Sequence, residues 1–243
     1  MERLQDSVRH LGLHLTEQQV AELQTYYEDL VEWNQRFNLT AITEYEQVQI
    51  RHFVDSLSCL IAIRNVQRTQ PARPLRGIDV GTGAGFPGIP IKIYCPQMHM
   101  TLLEATRKKV DFCQHVIDHL QLADTQAVWS RAEDLSRDPD HREQYDLVFA
   151  RAVADLSVLA EYTLPFCRIG GQVIAQKGAS AQKETHAAEN AISLLGGQVQ
   201  RVIPVELHGL AEMRNLVVID KVTRTPERYP RRAGMPAKRP LGK

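Results

Sequence analysis

LRGIDVGTGAGFPGIPI, Leu75 to Ile91, reads as a strand, a tight turn and the start of a helix. Ile78 and Val80 flank Asp79 in a short apolar run of the kind a buried strand shows. The chain then bends through Gly81, Gly83 and Gly85. Pro87 and Pro90 stand at or just before the first turn of the following helix, where a missing N–H costs little. Strand, glycine turn and helix start together let a backbone approach a nucleotide-like ligand and offer it free N–H groups. The ligand site is expected here.

The glycines admit more than one ligand. Gly83, Gly85 and Gly88 spell G-x-G-x-x-G, the dinucleotide fingerprint. Its first glycine directly follows the strand, however, and here that residue is Gly81. Counted from Gly81, the sixth position is Phe86, which would obstruct the close helix–strand approach that a third glycine serves. Asp79 would repel a pyrophosphate and suits a ligand with a cationic end. S-adenosyl-L-methionine, with a sulfonium, an ammonium and no phosphate, meets that condition. The run Asp79 to Gly85 resembles the first motif of Rossmann-like methyltransferases. An NAD-type binder and a purely structural turn are the alternatives.

The bulk numbers are those of a soluble globular protein. The chain has 243 residues, 43% hydrophobic and 24% charged, enough for one α/β domain with an extension. Twenty-nine basic residues balance twenty-nine acidic ones, so any nucleic-acid contact must rest on local patches. Cys59, Cys95, Cys113 and Cys167 are widely spaced and form no C-x-x-C, which favours free thiols in a reducing compartment. The start, MERLQDSVRH, lacks a signal-peptide core, and no apolar run is long enough to span a membrane. A cytoplasmic protein with no membrane partner is expected.

Three regions are expected: a helical cap over residues 1–66, a core over 67–222 and a basic tail over 223–243. In the cap, Val20, Leu23, Tyr26, Tyr27, Leu30 and Val31 recur at helical spacing, with Thr16 and Gln19 placed for a capping box. A second helix is expected over Glu46 to Ile63, with Arg51 and Asp55 paired four apart. The segment Gln67–Pro74 reads as a linker. Strands are then expected at Ile78–Val80, Met100–Glu104, Gln126–Trp129, Leu147–Ala150, Gln172–Gln176, Gln198–Glu206 and Leu216–Lys221. Helices at Ile89–Tyr94, Arg107–Leu120, Leu156–Thr163 and Ala181–Leu194 alternate with them, which implies a mainly parallel sheet covered on both faces. The loop His208 to Asn215 is too short for a crossover, so the last two strands should form an antiparallel hairpin. A seven-stranded sheet ending so is the Rossmann-like class I methyltransferase architecture. A NAD domain lacks the hairpin.

Several residues suit an adenosine ligand. Glu104 ends the second strand about twenty residues past the turn, where an acid can accept both ribose hydroxyls. Ala132 and Glu133 follow the third strand, where backbone can meet an adenine edge. Arg151 closes the fourth strand in the crevice where such sheets bind ligands. No D/N-P-P-[YFW] motif stands there, which argues against transfer to an exocyclic amine. Eight basic residues and one acid occupy Lys221 to Lys243. Its prolines predict an extended strap that tracks phosphates, with Arg231, Arg232, Lys238 and Arg239 as RNA contacts. Lys108 and Lys109, at a helix start, predict a second positive patch. His115 and His119 stand four apart, a metal-binding spacing, but no third ligand is evident and no metal site is expected.

Together these stretches resemble one family, the bacterial small-subunit ribosomal RNA methyltransferase G family, also called glucose-inhibited division protein B. The matching segments include Trp33-Asn34 with Asn38-Leu39-Thr40, Arg51-His52 with Asp55-Ser56-Leu57, and Asp79 through Pro90. Others are Leu103-Glu104-Ala105 with Lys108-Lys109, Phe149 to Val153, Gln176-Lys177-Gly178, Arg214-Asn215-Leu216 and Tyr229 to Gly234. The resemblance implies methyl transfer from S-adenosyl-L-methionine to N7 of a guanine in 16S ribosomal RNA, nucleotide 527 in the usual numbering. It assigns Gly81, Phe86, Ala132, Glu133 and Arg151 to the cofactor, beside Gly83 and Glu104 from the residues themselves. The expected partner is 16S RNA or the small ribosomal subunit, and no protein partner is inferred. Guanine N7 presents a lone pair, so no general base is required. Acceptors near the base would help, and Asn38 or Asp55 can serve if the cap folds over the site.

Overall fold

The computed structural model describes residues 1–63, 73–151, 154–208 and 210–242. The expected linker, and with it the boundary between residues 66 and 67, lies almost wholly outside them. The cap comprises α1 (Glu2–His10), α2 (Glu17–Asn34), α3 (Tyr45–Val48), a π-helical turn (Gln49–Val54), α4 (Asp55–Ser58) and α5 (Leu60–Ile63). The core runs β1 (Arg76–Val80), α6 (Gly88–Tyr94), β2 (His99–Glu104), α7 (Arg107–His119), β3 (Thr125–Trp129), α8 (Ala132–Leu135) and β4 (Tyr145–Arg151). It continues with α9 (Leu156–Thr163), β5 (Cys167–Lys177), α10 (Ala181–Leu194), β6 (Gly197–Val205), β7 (Arg214–Lys221) and α11 (Met235–Lys238).

The strands form one sheet in the order β3-β2-β1-β4-β5-β7-β6. The first five are parallel, and β7 runs antiparallel to both β5 and β6. Successive strand residues face opposite sides, and each side has its own core. Ile78, Val80, Leu103, Val148 and Ala150 pack toward α9 and α10. Met100, Leu102, Leu147 and Phe149 pack toward α6, α7 and the cap. Leu4, Leu23, Tyr26, Leu30 and Phe53 of the cap belong to that second cluster. The cap thus shares a core with the sheet rather than burying one of its own. No helix among the described residues is long and apolar enough to cross a membrane.

Local chemistry sets α2 in place. Thr16 Oγ1 accepts from Gln19 N, and Gln19 Oε1 accepts from Thr16 N, which closes the capping box. Gln19 Nε2 also donates to the Ile93 and Tyr94 carbonyls that end α6.

Two expectations are corrected. Arg51 and Asp55 do not pair, because Asp55 is taken by Arg151 at 3.0 Å and Arg214 at 3.4 Å. Arg51 instead forks onto both carboxylate oxygens of Glu212 at 2.9 Å. The tail is not an extended strap. Pro236 sits in the first turn of α11, where its lost N–H is harmless, and Lys221 is buried against the Leu164 carbonyl. Arg231 is drawn onto the domain by Glu161, which is fully buried and accepts from Arg231 N at 2.7 Å and Nη2 at 2.6 Å. Glu161→Ala leaves a partly buried guanidinium unpaired and is expected to cost about 3 kcal/mol in urea unfolding. A cost below about 0.5 kcal/mol, the range of a surface substitution, would show that the tail is held by other contacts.

Candidate functional site

The carboxyl edge of the sheet carries two cavities that meet at one side chain. The first, of about 400 Å³, is lined by Val80 and Gly81 from β1, Leu103 and Glu104 from β2, Ala132 and Glu133 beyond β3, and Arg151 of β4. It lies at the point where strand order reverses between β1 and β4, where open α/β sheets bind their ligands. Six of the seven expected cofactor residues are here: Gly81, Gly83, Glu104, Ala132, Glu133 and Arg151.

The seventh, Phe86, is not among the residues that line this cavity. Its ring points into the cap, stacked on His52 at 4.4 Å and on Tyr26 at 5.3 Å. The close helix–strand approach is made at Gly88 instead. A Cβ there would meet Leu102 Cδ2 at 2.3 Å and the Asp79 side chain at 3.0 Å. Phe86 therefore does not obstruct that approach, and the objection it raised to a dinucleotide falls away.

Asp79 is also placed differently from its expected role beside a cation. It is fully buried, and its Oδ2 accepts from Thr82 Oγ1 at 2.6 Å and Gly88 N at 2.8 Å. It ties the glycine turn to the helix start and acts on the cavity only through its field. Glu104 ties the same turn from outside: Oε2 accepts from Gly83 N at 3.0 Å and Oε1 from Thr106 N at 2.8 Å. Tyr26 donates its hydroxyl to the Ala84 carbonyl, so the cap clamps the turn as well. Gly83 has φ +61°, and a Cβ on it would meet nothing within 4 Å. That open space beside the glycine turn is the shape an adenosine-bearing cofactor needs, and the Glu104 carboxylate retains lone pairs for ribose hydroxyls. The residues present therefore fit S-adenosyl-L-methionine. The tail closes one side, with Gly234 N donating to Glu133 Oε1 at 2.8 Å and Ala237 on the wall.

The second cavity, of about 390 Å³, is lined by Ile42, Arg51, His52, Asp55, Arg151, Gln176, Lys177, Gly178 and Arg214. Arg151 separates it from the first. Its guanidinium donates to Asp55 Oδ2 at 3.0 Å and to the Arg51 carbonyl at 3.1 Å, and lies 5.1 Å over the Phe86 ring. Two buried acceptors in this cavity, Asp55 Oδ1 and Gln176 Oε1, have no hydrogen-bond partner. Arg214 Nε approaches the former at 3.4 Å as an ion pair. A third cavity, on the β6–β7 connection, shares Arg214 with the second but touches no part of the glycine turn.

The cap loop organises this second cavity from below. Asn34 Oδ1 accepts from Leu39 N and Thr40 N, and Thr40 Oγ1 meets His52 Nε2 at 2.9 Å. Asn38, an expected acceptor, is exposed and lines neither cavity. Two cations on the second cavity's rim, Lys177 and Arg214, become conspicuous only once the cap and the end of β7 come together. Of the expected RNA contacts, Lys108, Arg232, Lys238 and Arg239 are exposed. Lys109 lines the first cavity, and Arg231 is committed to Glu161.

His52 and Asp79 titrate against each other. Burial, aided by the Arg151 charge, pushes the His52 imidazole down from 6.5 to about 3. Burial pushes Asp79 from 3.8 up to about 6, against hydrogen bonds from Thr82 and Gly88. From about pH 4 to 6 the folded chain holds a proton on Asp79 that the unfolded chain has lost, so Asp79 erodes stability as pH rises. Over the same span unfolded His52 carries a proton that the folded chain lacks, so His52 adds stability as pH rises. The slopes, each at most about 1.4 kcal/mol per pH unit, oppose each other. Asp79→Asn is expected to unmask stability that increases from pH 4 to 6, and His52→Gln stability that declines. Urea melts across that range check both signs, and two profiles parallel to wild type would refute the assignment.

Comparison with known proteins agrees with this geometry. A family model described as rRNA small subunit methyltransferase G matches residues 19–217. Ribosomal RNA small subunit methyltransferase G of Roseiflexus castenholzii is 50% identical over 230 residues, 95% of each chain. The protein of the same name from Pelotomaculum thermopropionicum is 46% identical, covering 99% of this chain and 98% of its own. Among solved structures, M. jannaschii TYW2 in complex with AdoMet has a TM-score of 0.51 at 12% identity, covering 68% of this chain and 77% of that one. TrmN of Thermus thermophilus has a TM-score of 0.51 at 16% identity, covering 72% of this chain and 53% of that one. At such identities the last two speak for the fold alone.

Proposed function

The chain belongs to the rRNA small subunit methyltransferase G family, and from that premise we propose that its second cavity seats the target guanine of 16S ribosomal RNA edge-on to the cofactor cavity. It is an S-adenosyl-L-methionine-dependent methyltransferase of small-subunit ribosomal RNA. The finer assignment, N7 of guanine 527 in the cytoplasmic small subunit, is supported by one observation above others. The cavity beside the cofactor site holds two buried acceptors without partners, Asp55 Oδ1 and Gln176 Oε1. Guanine presents N1–H and N2–H donors on the edge away from N7. A guanine held by that edge turns N7 outward, toward Arg151 and the first cavity.

S-adenosyl-L-methionine supplies an electrophilic methyl group on a sulfonium. The protein's part is placement and electrostatics. N7 attacks with a lone pair it already has, so no side chain need remove a proton first. The base becomes cationic as it accepts the methyl, and the Asp55 carboxylate on its N1–H edge favours the charge that spreads across the ring. Arg151 holds Asp55 in place and lines both cavities where they meet. Exposed Lys108, Arg232, Lys238 and Arg239 are suited to RNA phosphates, whereas Arg51, Lys177 and Arg214 on the rim are held by Glu212, Glu184 and Asp55.

The test is to incubate the protein with the donor and unmodified 16S RNA, then cleave the chain chemically at N7-methylguanosine. Scission at nucleotide 527 is expected. Methyl transfer to N2, or to another base, would sink the reading. Gly178→Val separates the two cavities. A Cβ at Gly178 meets nothing within 4 Å and needs no unusual φ, so the fold should tolerate it. The added methyls enter the second cavity alone. A loss of about 10²-fold in kcat/KM for RNA is expected from misplacing the base, with donor affinity unchanged by calorimetry.

A further inference from the structure

Two helices meet at three side chains that bind metals. Asp29 lies on α2 of the cap and is 6% exposed. His115 and His119 lie one turn apart on α7, partly open to solvent. His115 Nε2 stands 3.2 Å from Asp29 Oδ1, and His119 Nδ1 stands 2.9 Å from Asp29 Oδ2. One ligand atom from each residue lies within 4.8 Å of the other two. We propose that Asp29, His115 and His119 form a site for a divalent transition metal of the zinc class, one that staples the cap to α7.

The donor set selects the ion. Two imidazoles and one carboxylate suit zinc and its neighbours, whereas calcium and magnesium take oxygen ligands. Zinc bonds to nitrogen and oxygen of roughly 2.0–2.1 Å put tetrahedral ligand atoms about 3.3 Å apart. The observed separations from Asp29 approach that value, so the helices need shift only slightly to admit the ion. Three protein ligands leave a fourth position, and it faces the solvent side between the exposed histidines, where a water fits. Trp33 packs on His115 with ring centroids 5.0 Å apart and fixes that imidazole's orientation. The carboxylate comes from a residue more than eighty positions upstream, which is why the histidine pair alone gave no metal expectation.

The consequence is structural. The α7 helix begins at Arg107, and its Lys109 lines the cofactor cavity. A metal on the far end of α7 would fix the cap against the helix that carries one wall of that cavity. The site touches neither cavity and takes no part in methyl transfer.

The experiment uses the full chain stripped of metal with a chelator. Zinc chloride titrated by calorimetry is expected to bind one equivalent and to raise the melting temperature. His115→Gln and His119→Gln change half-exposed residues, so both variants should fold. Each should weaken zinc binding by more than the roughly 10–100-fold that loss of an outer-sphere partner costs. His208→Gln removes one ring of a separate imidazole pair, His10 stacked on His208 at 4.7 Å, and should change nothing. The chain has two tryptophans, so in a Trp129→Phe background cobalt chloride should quench Trp33 fluorescence, and His115→Gln should abolish the quenching. Absence of binding, binding retained by the His115→Gln, His119→Gln double variant, or loss of binding in His208→Gln would overturn the site.

Discussion

Arg151→Ala is expected to lower turnover on 16S RNA by about 10²–10³-fold, the range for removing one preorganised polar group from a catalytic site. The same guanidinium lines both cavities and binds Asp55 Oδ2 at 3.0 Å. Without it, Asp55 keeps only Arg214 at 3.4 Å and is free to swing from the position that meets the base. The edge that both cavities share is lost at the same time, so the base is less well placed against the donor. Arg151→Lys should recover less than tenfold of the loss. A lysine is a point charge, and cannot reach Asp55 and the Arg51 carbonyl while lying flat on Phe86. The Asp55→Ala, Arg151→Ala double variant should be scarcely worse than either single one, because the two act as a unit. Single-turnover rates at saturating donor make the measurement. Full turnover by Arg151→Ala would remove this side chain from the mechanism.

The unevenness of what the chain reveals has a physical cause. Features set by neighbours in sequence are legible in it. The glycine turn, the alternation of strands and helices, the capping box of Thr16 and Gln19 and the closing hairpin all stand as expected, with element ends moved by one or two residues and β5 extended back to Cys167. Glu104 is legible because its distance from the turn follows from one strand–helix–strand unit. What is not legible depends on contacts between distant segments. The packing of the Phe86 ring is set by His52 and Tyr26, which only the fold brings beside it. Arg231 looks like a free cation until Glu161 is found buried beneath it. The second cavity draws on the cap, β4, β5 and β7, and no local pattern announces such a meeting. Arg51 likewise looks paired with Asp55 until Glu212 is brought beside the one and Arg151 beside the other.

Glu104→Gln is expected to weaken both S-adenosyl-L-methionine and S-adenosylhomocysteine by about 10²-fold. Hydrogen bonds to a charged acceptor are worth roughly 1.5–3 kcal/mol each, and two ribose hydroxyls can use this carboxylate. Both of its oxygens already accept one backbone N–H, from Gly83 and from Thr106. An amide in its place sets its NH2 group against one of those two donors whichever way it turns. It repels that N–H, loosens the glycine turn or the start of α7, and removes an acceptor from the ribose. Donor and product share the adenosine half, so the two affinities should fall by the same factor and their ratio should hold. That equality distinguishes a ribose contact from one made to the sulfonium or methyl, which would penalise the donor more. Turnover at saturating donor should stay within a few-fold of wild type, since the interaction is the same before and during transfer. Calorimetry with each ligand decides it. If both dissociation constants remain within threefold of wild type, the adenosine is not held by β2, and the first cavity must be assigned to some other ligand.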